Sequence, residues 1–188
     1  MYQDIKAQYA HYFEDHEATI VSEDDNILAL DFRNKNGSIE YYIGYIFDRR
    51  HGLVAIHGDV GYAIACWHNP LEPERIRDFS KDVSYFLEKV ETDNDKYTYC
   101  YDDIKSDLCD LVESRRDEVD NVDELLDEIL LDADFYPEQV YFGDNARNIL
   151  EDELGFNYES YGNLGRRINP RVYLWIVGLD LAMEQLNR

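Results

Sequence analysis

Basic residues are scarce in this 188-residue chain: 18 Lys and Arg stand against 41 Asp and Glu, a formal net charge of −23. That deficit argues against direct binding to DNA or to an anionic membrane surface, because both require a cationic face. Proline is also rare, at 4 residues, while hydrophobic residues reach 45% and tyrosine alone counts 16, a composition that excludes a disordered chain despite the charge. No apolar run approaches the roughly 20 residues of a membrane span. The opening Met1–Lys6 lacks the basic-then-apolar pattern of a secretion signal. Cys66, Cys100 and Cys109 are odd in number and form no CxxC pair, which points to a reducing compartment. The expectation is a cytoplasmic protein, in which Asn36-Gly37-Ser38 is a turn and not a glycosylation acceptor.

The acidic residues that are present are unevenly placed. Residues 1–92 carry 17 Asp and Glu against 9 Lys and Arg, residues 93–165 carry 22 against 5, and the last 23 residues carry a net +2. A middle segment at −17 reads as a folded body presenting one concentrated field, which attracts basic proteins and repels nucleic acid. Such a field favours binding over catalysis, and neither a cofactor nor a metal is expected.

Residues 2–15 space Tyr2, Ile5, Tyr9, Tyr12 and Phe13 as one face of a helix. Short extended runs follow: Ile27–Phe32, then Asn36-Gly37 as a hairpin signal, Ile39–Phe47, Leu53–His57 and Tyr62–Trp67. They predict an antiparallel four-stranded meander over about residues 27–67. Helical spacing takes over after Pro70, in Glu74–Phe79, Val83–Val90 and Ile104–Val112, with Tyr97–Tyr99 as a short extended link. A strongly amphipathic helix is predicted from Asp117 to Asp134, another from Ala146 to Leu154 ended by Gly155, and an interior one from Val172 to Leu186, apolar on most sides at its start. The fold class is α+β: a sheet followed by a helical half, as one domain over 1–188 or subdivided into 1–92 and an acidic 93–188.

On the Asp117–Asp134 helix, Val119, Val122, Leu125, Leu126, Ile129 and Leu130 form one stripe, and Asp120, Asp123, Glu124, Asp127 and Glu128 occupy the rest. Asp123/Asp127 and Glu124/Glu128 are like-charge i,i+4 pairs, each costing a few tenths of a kcal/mol. No basic residue occurs between Arg116 and Arg147. A locally unfavourable run of this kind marks function more often than stability. Carboxylates on a rigid helix can stand in for the phosphates of a duplex, about one charge per 1.7 Å of axis, and occupy the grooves that hold them. Asp117, Asp120, Asp123, Glu124, Asp127 and Glu128 are therefore the candidate partner-binding residues, with a solubilising face as the plainer reading.

His57, Asp59, Cys66 and His68 are the densest group of reactive side chains and suggest a zinc or Cys/His site, with His57, Asp59 and His68 as the catalytic set of a small metal-dependent hydrolase or nuclease. Gly58-Asp59 equally suits a turn, and cysteine a small buried apolar residue. Asp93-Asn94-Asp95 resembles a calcium loop but has Thr98 and Ile104 where Gly and Glu are needed. Asp102-Asp103 and Glu151-Asp152-Glu153 point their neighbouring carboxylates apart and read as solvated faces. Tyr41, Tyr42, Tyr45, Tyr62, Tyr97, Tyr99 and Tyr101 suit packing and protein contact better than base stacking in so acidic a chain. Arg166, Arg167 and Arg171 form the one basic cluster, available to the acidic segment within the chain or across a homodimer.

Ile39–Asp48 and Val54–Ala65, extended by Val83–Lys89 and Tyr101–Lys105, resemble a recurrent segment of small phage-encoded proteins of Gram-positive hosts. The resemblance covers residues 27 to 110 and carries no catalytic motif. Acidic proteins of that setting include inhibitors of host defence, among them type II anti-CRISPR proteins that bind Cas9 or its guide complex. It implies a phage-type inhibitor in the host cytoplasm that binds a basic nucleic-acid-binding protein such as Cas9, and it assigns no residue. The acidic helix lies outside the resembling stretch, so mimicry of nucleic acid rests on charge alone.

Overall fold

A computed structural model describes residues 2–91, 96–136 and 140–187. The chain divides into two compact units, Met1–Lys96 with Asn169–Arg188, and Tyr97–Ile168 inserted between those two parts.

The first unit is built on five antiparallel strands in sequence order, β1 (His16–Glu23), β2 (Ile27–Asn34), β3 (Ile43–Asp48), β4 (Leu53–Gly58) and β5 (Ala63–Cys66). Period-2 alternation turns Leu28, Leu30, Phe32, Ile43, Tyr45, Phe47, Val54 and Ile56 to one fully buried face. The closing helix, Pro170–Gln185, is apolar on nearly every side and packs in this unit's interior. Tyr45 donates its hydroxyl to the Trp175 carbonyl oxygen at 2.8 Å, and Trp175 Nε1 donates to the Val60 carbonyl at 3.1 Å. A Cβ on Gly178 would lie 2.8 Å from the Tyr45 hydroxyl, so the close approach of helix and sheet needs glycine there. Asn169 caps the helix through Arg171 N, with Pro170 in the first turn.

One charged group lies inside this packing. Asp180 is 2% exposed and accepts from Tyr2 and Lys6 at 2.8 Å each, with Lys81 at 2.9 Å. Burial pushes its carboxyl up, but the donors from Lys6, Lys81 and Tyr2 outweigh this and hold it below the usual carboxylate value. Lys6 comes from α1 (Tyr2–Tyr9) and Lys81 follows α2 (Pro73–Ser80), so a single carboxylate ties three helices together. After α2, Asp82 caps α3 (Val83–Lys89) by accepting from Tyr85 N.

The sheet has five strands where the sequence predicts four. Strand β1 has one buried side chain, His16, so its residues carry no alternating signal. It is an edge strand, paired to β2 with a bulge between Ile20 and Ser22. Gln185 covers part of its free edge: Ala18 N donates to Gln185 Oε1 at 2.9 Å, and Gln185 Nε2 donates to the His16 carbonyl at 3.0 Å. The Asn36-Gly37 turn does not join two strands directly, because β3 begins at Ile43, after a loop in which Tyr41 takes a left-handed φ of 55°. The first helix ends at Tyr9 and tightens into a 3₁₀ turn over Ala10–Phe13.

The second unit opens with β6 (Tyr97–Tyr99) and continues through α4 (Tyr101–Glu113), α5 (Val122–Leu131), the paired strands β7 (Ala133–Phe135) and β8 (Val140–Phe142), and α6 (Asp144–Asn148). A π-helical turn over Ile149–Glu153 and α7 (Tyr158–Tyr161) lead to β9 (Arg166–Ile168), which pairs antiparallel with β6. Ile104, Leu108, Val112, Ile129, Leu150 and Tyr161 lie at the centre of its own core. At Gly165 the φ is +68°, and a Cβ there would stand 2.8 Å from the Ile104 backbone nitrogen, so the turn into β9 requires glycine. The closing helix, expected within 93–188, belongs instead to the first unit, because its apolar surface needs that unit's core. The Asp93-Asn94-Asp95 segment lies outside the described residues.

Candidate functional site

The second unit has 72 residues, with 20 Asp and Glu against 6 Lys and Arg, a net of −14. Its acidic character centres on α5 and the turn before it. Asn121, at a left-handed φ of 63°, breaks the predicted Asp117–Asp134 helix, which runs only from Val122 to Leu131. Asp117 and Asp120 therefore lie on the turn, and Asp134 lies on β7. Val122 and Ile129 are buried, Leu125, Leu126 and Leu130 half-buried, and Asp123, Glu124, Asp127 and Glu128 exposed, as the stripe predicts. Acids at the helix start, Asp123 and Glu124, complement the helix dipole, whereas Asp127 and Glu128 lie towards its negative end with no basic residue in the last turn.

The six candidate carboxylates are not equivalent. Arg116 reaches Asp123 at 2.8 Å and Glu113 at 2.7 Å, bridging the end of α4 to the start of α5. This hydrogen bond holds the Asp123 carboxyl below its ordinary value. Asp123 is thus neutralised locally. Asp117, Asp120, Glu124, Asp127 and Glu128 have no cation within ion-pair distance among the described residues. The unit's other cations are largely engaged: Arg115 with Glu118, Arg147 with Asp144, Arg167 with Asp103 and Asp107, and Arg166 over the Tyr97 ring at 4.3 Å. The basic pair at 166–167 is therefore consumed within its own unit, and Arg167 draws Asp107 down in pKa. Asp132 serves structure, accepting from Ala146 N at 2.9 Å at the start of α6.

Exposed aromatic surface follows directly on α5. Leu131 is 87% exposed, and Tyr136 and Tyr141 are about half exposed and meet edge to face at 5.6 Å between ring centroids. Tyr141 stands opposite Asp134 in the β7–β8 register. Neither tyrosine belongs to the set singled out in the sequence, since three-residue strands carry no periodicity to reveal them. Of that set, Tyr45 is fully buried in the first unit, while Tyr62 and Tyr101 are exposed.

The His57–His68 segment does not make one site. His57 lies near the far end of β4 with its ring against Gly44, whose Cβ would sit 2.3 Å from His57 Nε2. Asp59 accepts from Tyr41 N at 2.9 Å and fixes the turn. Leu53 pairs with Cys66, four residues or about 13 Å along the strand from His57, and His68 follows two residues beyond that end of the hairpin. Antiparallel pairing separates the proposed catalytic set. Cys66 Sγ and His68 Nδ1 do meet, at 3.4 Å, and Glu91 joins them.

No protein family, curated protein or solved structure matches this chain. No helix among the described residues is long and apolar enough to cross a membrane.

Proposed function

We propose that this chain is a non-enzymatic binding protein whose second unit presents an acidic, tyrosine-edged surface to a basic nucleic-acid-binding protein. The observation that carries this reading is the group Asp117, Asp120, Glu124, Asp127 and Glu128, exposed and without a cation partner in a unit of net −14. A surface left unneutralised while neighbouring acids are paired keeps its field available to a partner. Leu131, Tyr136 and Tyr141 add the amphipathic contact area from which binding hot spots are made. The specific form of the proposal, a phage-type inhibitor of host defence acting on Cas9 or its guide complex, rests on the sequence resemblance over residues 27–110. The hydrolase reading has lost its catalytic set, because His57 and Asp59 stand apart from His68.

The deciding experiment measures association of the full chain with guide-loaded and guide-free Cas9 across a salt series. The comparison variant reverses Glu124, Asp127 and Glu128 to Lys and keeps Asp123 for its pair with Arg116. Association should weaken at least tenfold and lose most of its salt dependence in the variant. Equal affinity of variant and parent would refute the acidic surface as the contact. No binding to Cas9 by either would refute that target.

A further inference from the structure

Three side chains with metal-binding chemistry converge on the last strand of the first unit's sheet, in the unit that does not carry the proposed partner surface. Cys66 ends β5 and is 8% exposed, and His68 follows two residues later. Glu91 is distant in sequence but is drawn in by an antiparallel bridge between Ala65 and Val90, with Glu91 N donating to the Ile64 carbonyl at 2.8 Å. That register places Glu91 opposite Ile64, on the same face as Cys66. The Sγ, imidazole nitrogen and carboxylate oxygen all lie within 4.8 Å of one another. His68 is held at a left-handed φ of 59°, an uncommon backbone for a residue other than glycine.

We propose that Cys66, His68 and Glu91 bind a single Zn²⁺, leaving the fourth position to water. Tetrahedral zinc with a thiolate at about 2.3 Å and an imidazole at about 2.05 Å places those two donors about 3.5 Å apart. The structure holds Cys66 Sγ and His68 Nδ1 at 3.4 Å, so these two ligands need almost no movement. One sulfur, one nitrogen and one oxygen donor match the borderline-soft preference of zinc and disfavour Mg²⁺ and Ca²⁺, which take oxygen ligands. On binding, the Cys66 S–H bond breaks, its electron pair forms the S–Zn bond and the proton passes to water. Thiolate and carboxylate together balance the +2 ion, so the site is neutral where Cys66 is buried. The metal would fasten the chain leaving α3 to the end of β5.

The test uses the full chain, stripped with a chelator and titrated with Zn²⁺ in excess Mg²⁺, which saturates the exposed carboxylates. Co²⁺ serves as the spectroscopic probe, since a tetrahedral thiolate site gives a sulfur-to-cobalt charge-transfer band and intense d–d bands. One equivalent should bind. Cys66→Ser should abolish the charge-transfer band and weaken Zn²⁺ by more than about 100-fold, exceeding the 10–100-fold cost of losing an outer-shell partner. Glu91→Gln, at an exposed position that leaves the fold intact, should weaken it about tenfold. Cys100→Ser with Cys109→Ser should change nothing. No stoichiometric binding in Mg²⁺, or a charge-transfer band that survives Cys66→Ser or vanishes in the Cys100/Cys109 variant, overturns the site. Because the carboxylates tested against Cas9 lie in the other unit, the two proposals fail independently.

Discussion

Asp180→Asn removes the one charge that α1, α2 and the closing helix share. The amide keeps the shape but replaces an acceptor with an NH₂ group facing ammonium groups, so Lys6 and Lys81 lose the carboxylate they meet at 2.8 and 2.9 Å. Breaking a buried pair costs about 3–5 kcal/mol. Lys6 and Lys81 keep a fifth and a third of their side-chain exposure and can rehydrate, which favours the lower end, about 3 kcal/mol. Both tryptophans, Trp67 and Trp175, lie in the first unit, so urea unfolding followed by their emission reports on that unit alone. At an m-value of about 1.5–2 kcal/mol/M the midpoint should fall by about 1.5–2 M. Adding Lys6→Met should cost less than the same change in the parent, since the buried carboxylate is already gone and only the exposed Glu184, at 2.7 Å, still pairs with Lys6. A midpoint drop below about 0.5 M, or a double variant with additive losses, would refute the view that Asp180 organises the three helices.

Further outcomes follow from the same physics. Tyr45→Phe removes the hydroxyl that donates to the buried Trp175 carbonyl, leaving that oxygen its helical backbone donor alone, and should cost the first unit about 1 kcal/mol by the same fluorescence assay. His16 is 2% exposed between the Phe13 and Phe32 rings, and burial lowers its pKa, so the folded state resists the proton that the unfolded chain accepts near pH 6.5. Stability should therefore decline as pH falls below about 6.5, and His16→Phe should flatten that part of the profile; an unchanged slope would count against it. Asp180, with its lowered pKa, contributes stability that is complete above the ordinary carboxylate range and is lost as pH falls towards its own value, so Asp180→Asn should flatten the profile only below about pH 4. Gly165→Ala, which drives a methyl into the Ile104 backbone at positive φ, should destabilise the second unit by about 2 kcal/mol or more, read by hydrogen exchange at α4.

Strong local patterns in the sequence carried much of the fold. Leu28, Leu30 and Phe32 alternate, the stripe on α5 is regular, and the segment from Val172 is apolar on most sides at its start, so β2, α5 and the closing helix were legible from residues alone. Strand β1 was not, because an edge strand with one buried side chain gives no alternation. Asn121 was not legible as a helix breaker, since asparagine enters a left-handed conformation only where context asks for it. The acidic surface was visible as composition, but the pairing that removes Asp123 from it depends on Arg116 reaching across a turn. Glu91 could not be linked to Cys66 and His68 because a single backbone bridge, invisible to any periodicity, brings them together.

The insertion of the second unit has a consequence for the order of assembly. Asn169 N donates to the Lys96 carbonyl at 2.9 Å, so the 72-residue excursion leaves and returns at adjacent points. Closing an unstructured loop of that length costs on the order of 4 kcal/mol in chain entropy. A folded insert, its ends already clamped by β6 and β9, meets that cost before the closing helix docks. During synthesis the sheet leaves the ribosome well before the helix that fills its interior, with the insert emerging between them. The acidic unit would then act first as a scaffold within its own chain, and folding of the sheet should slow when the insert is destabilised.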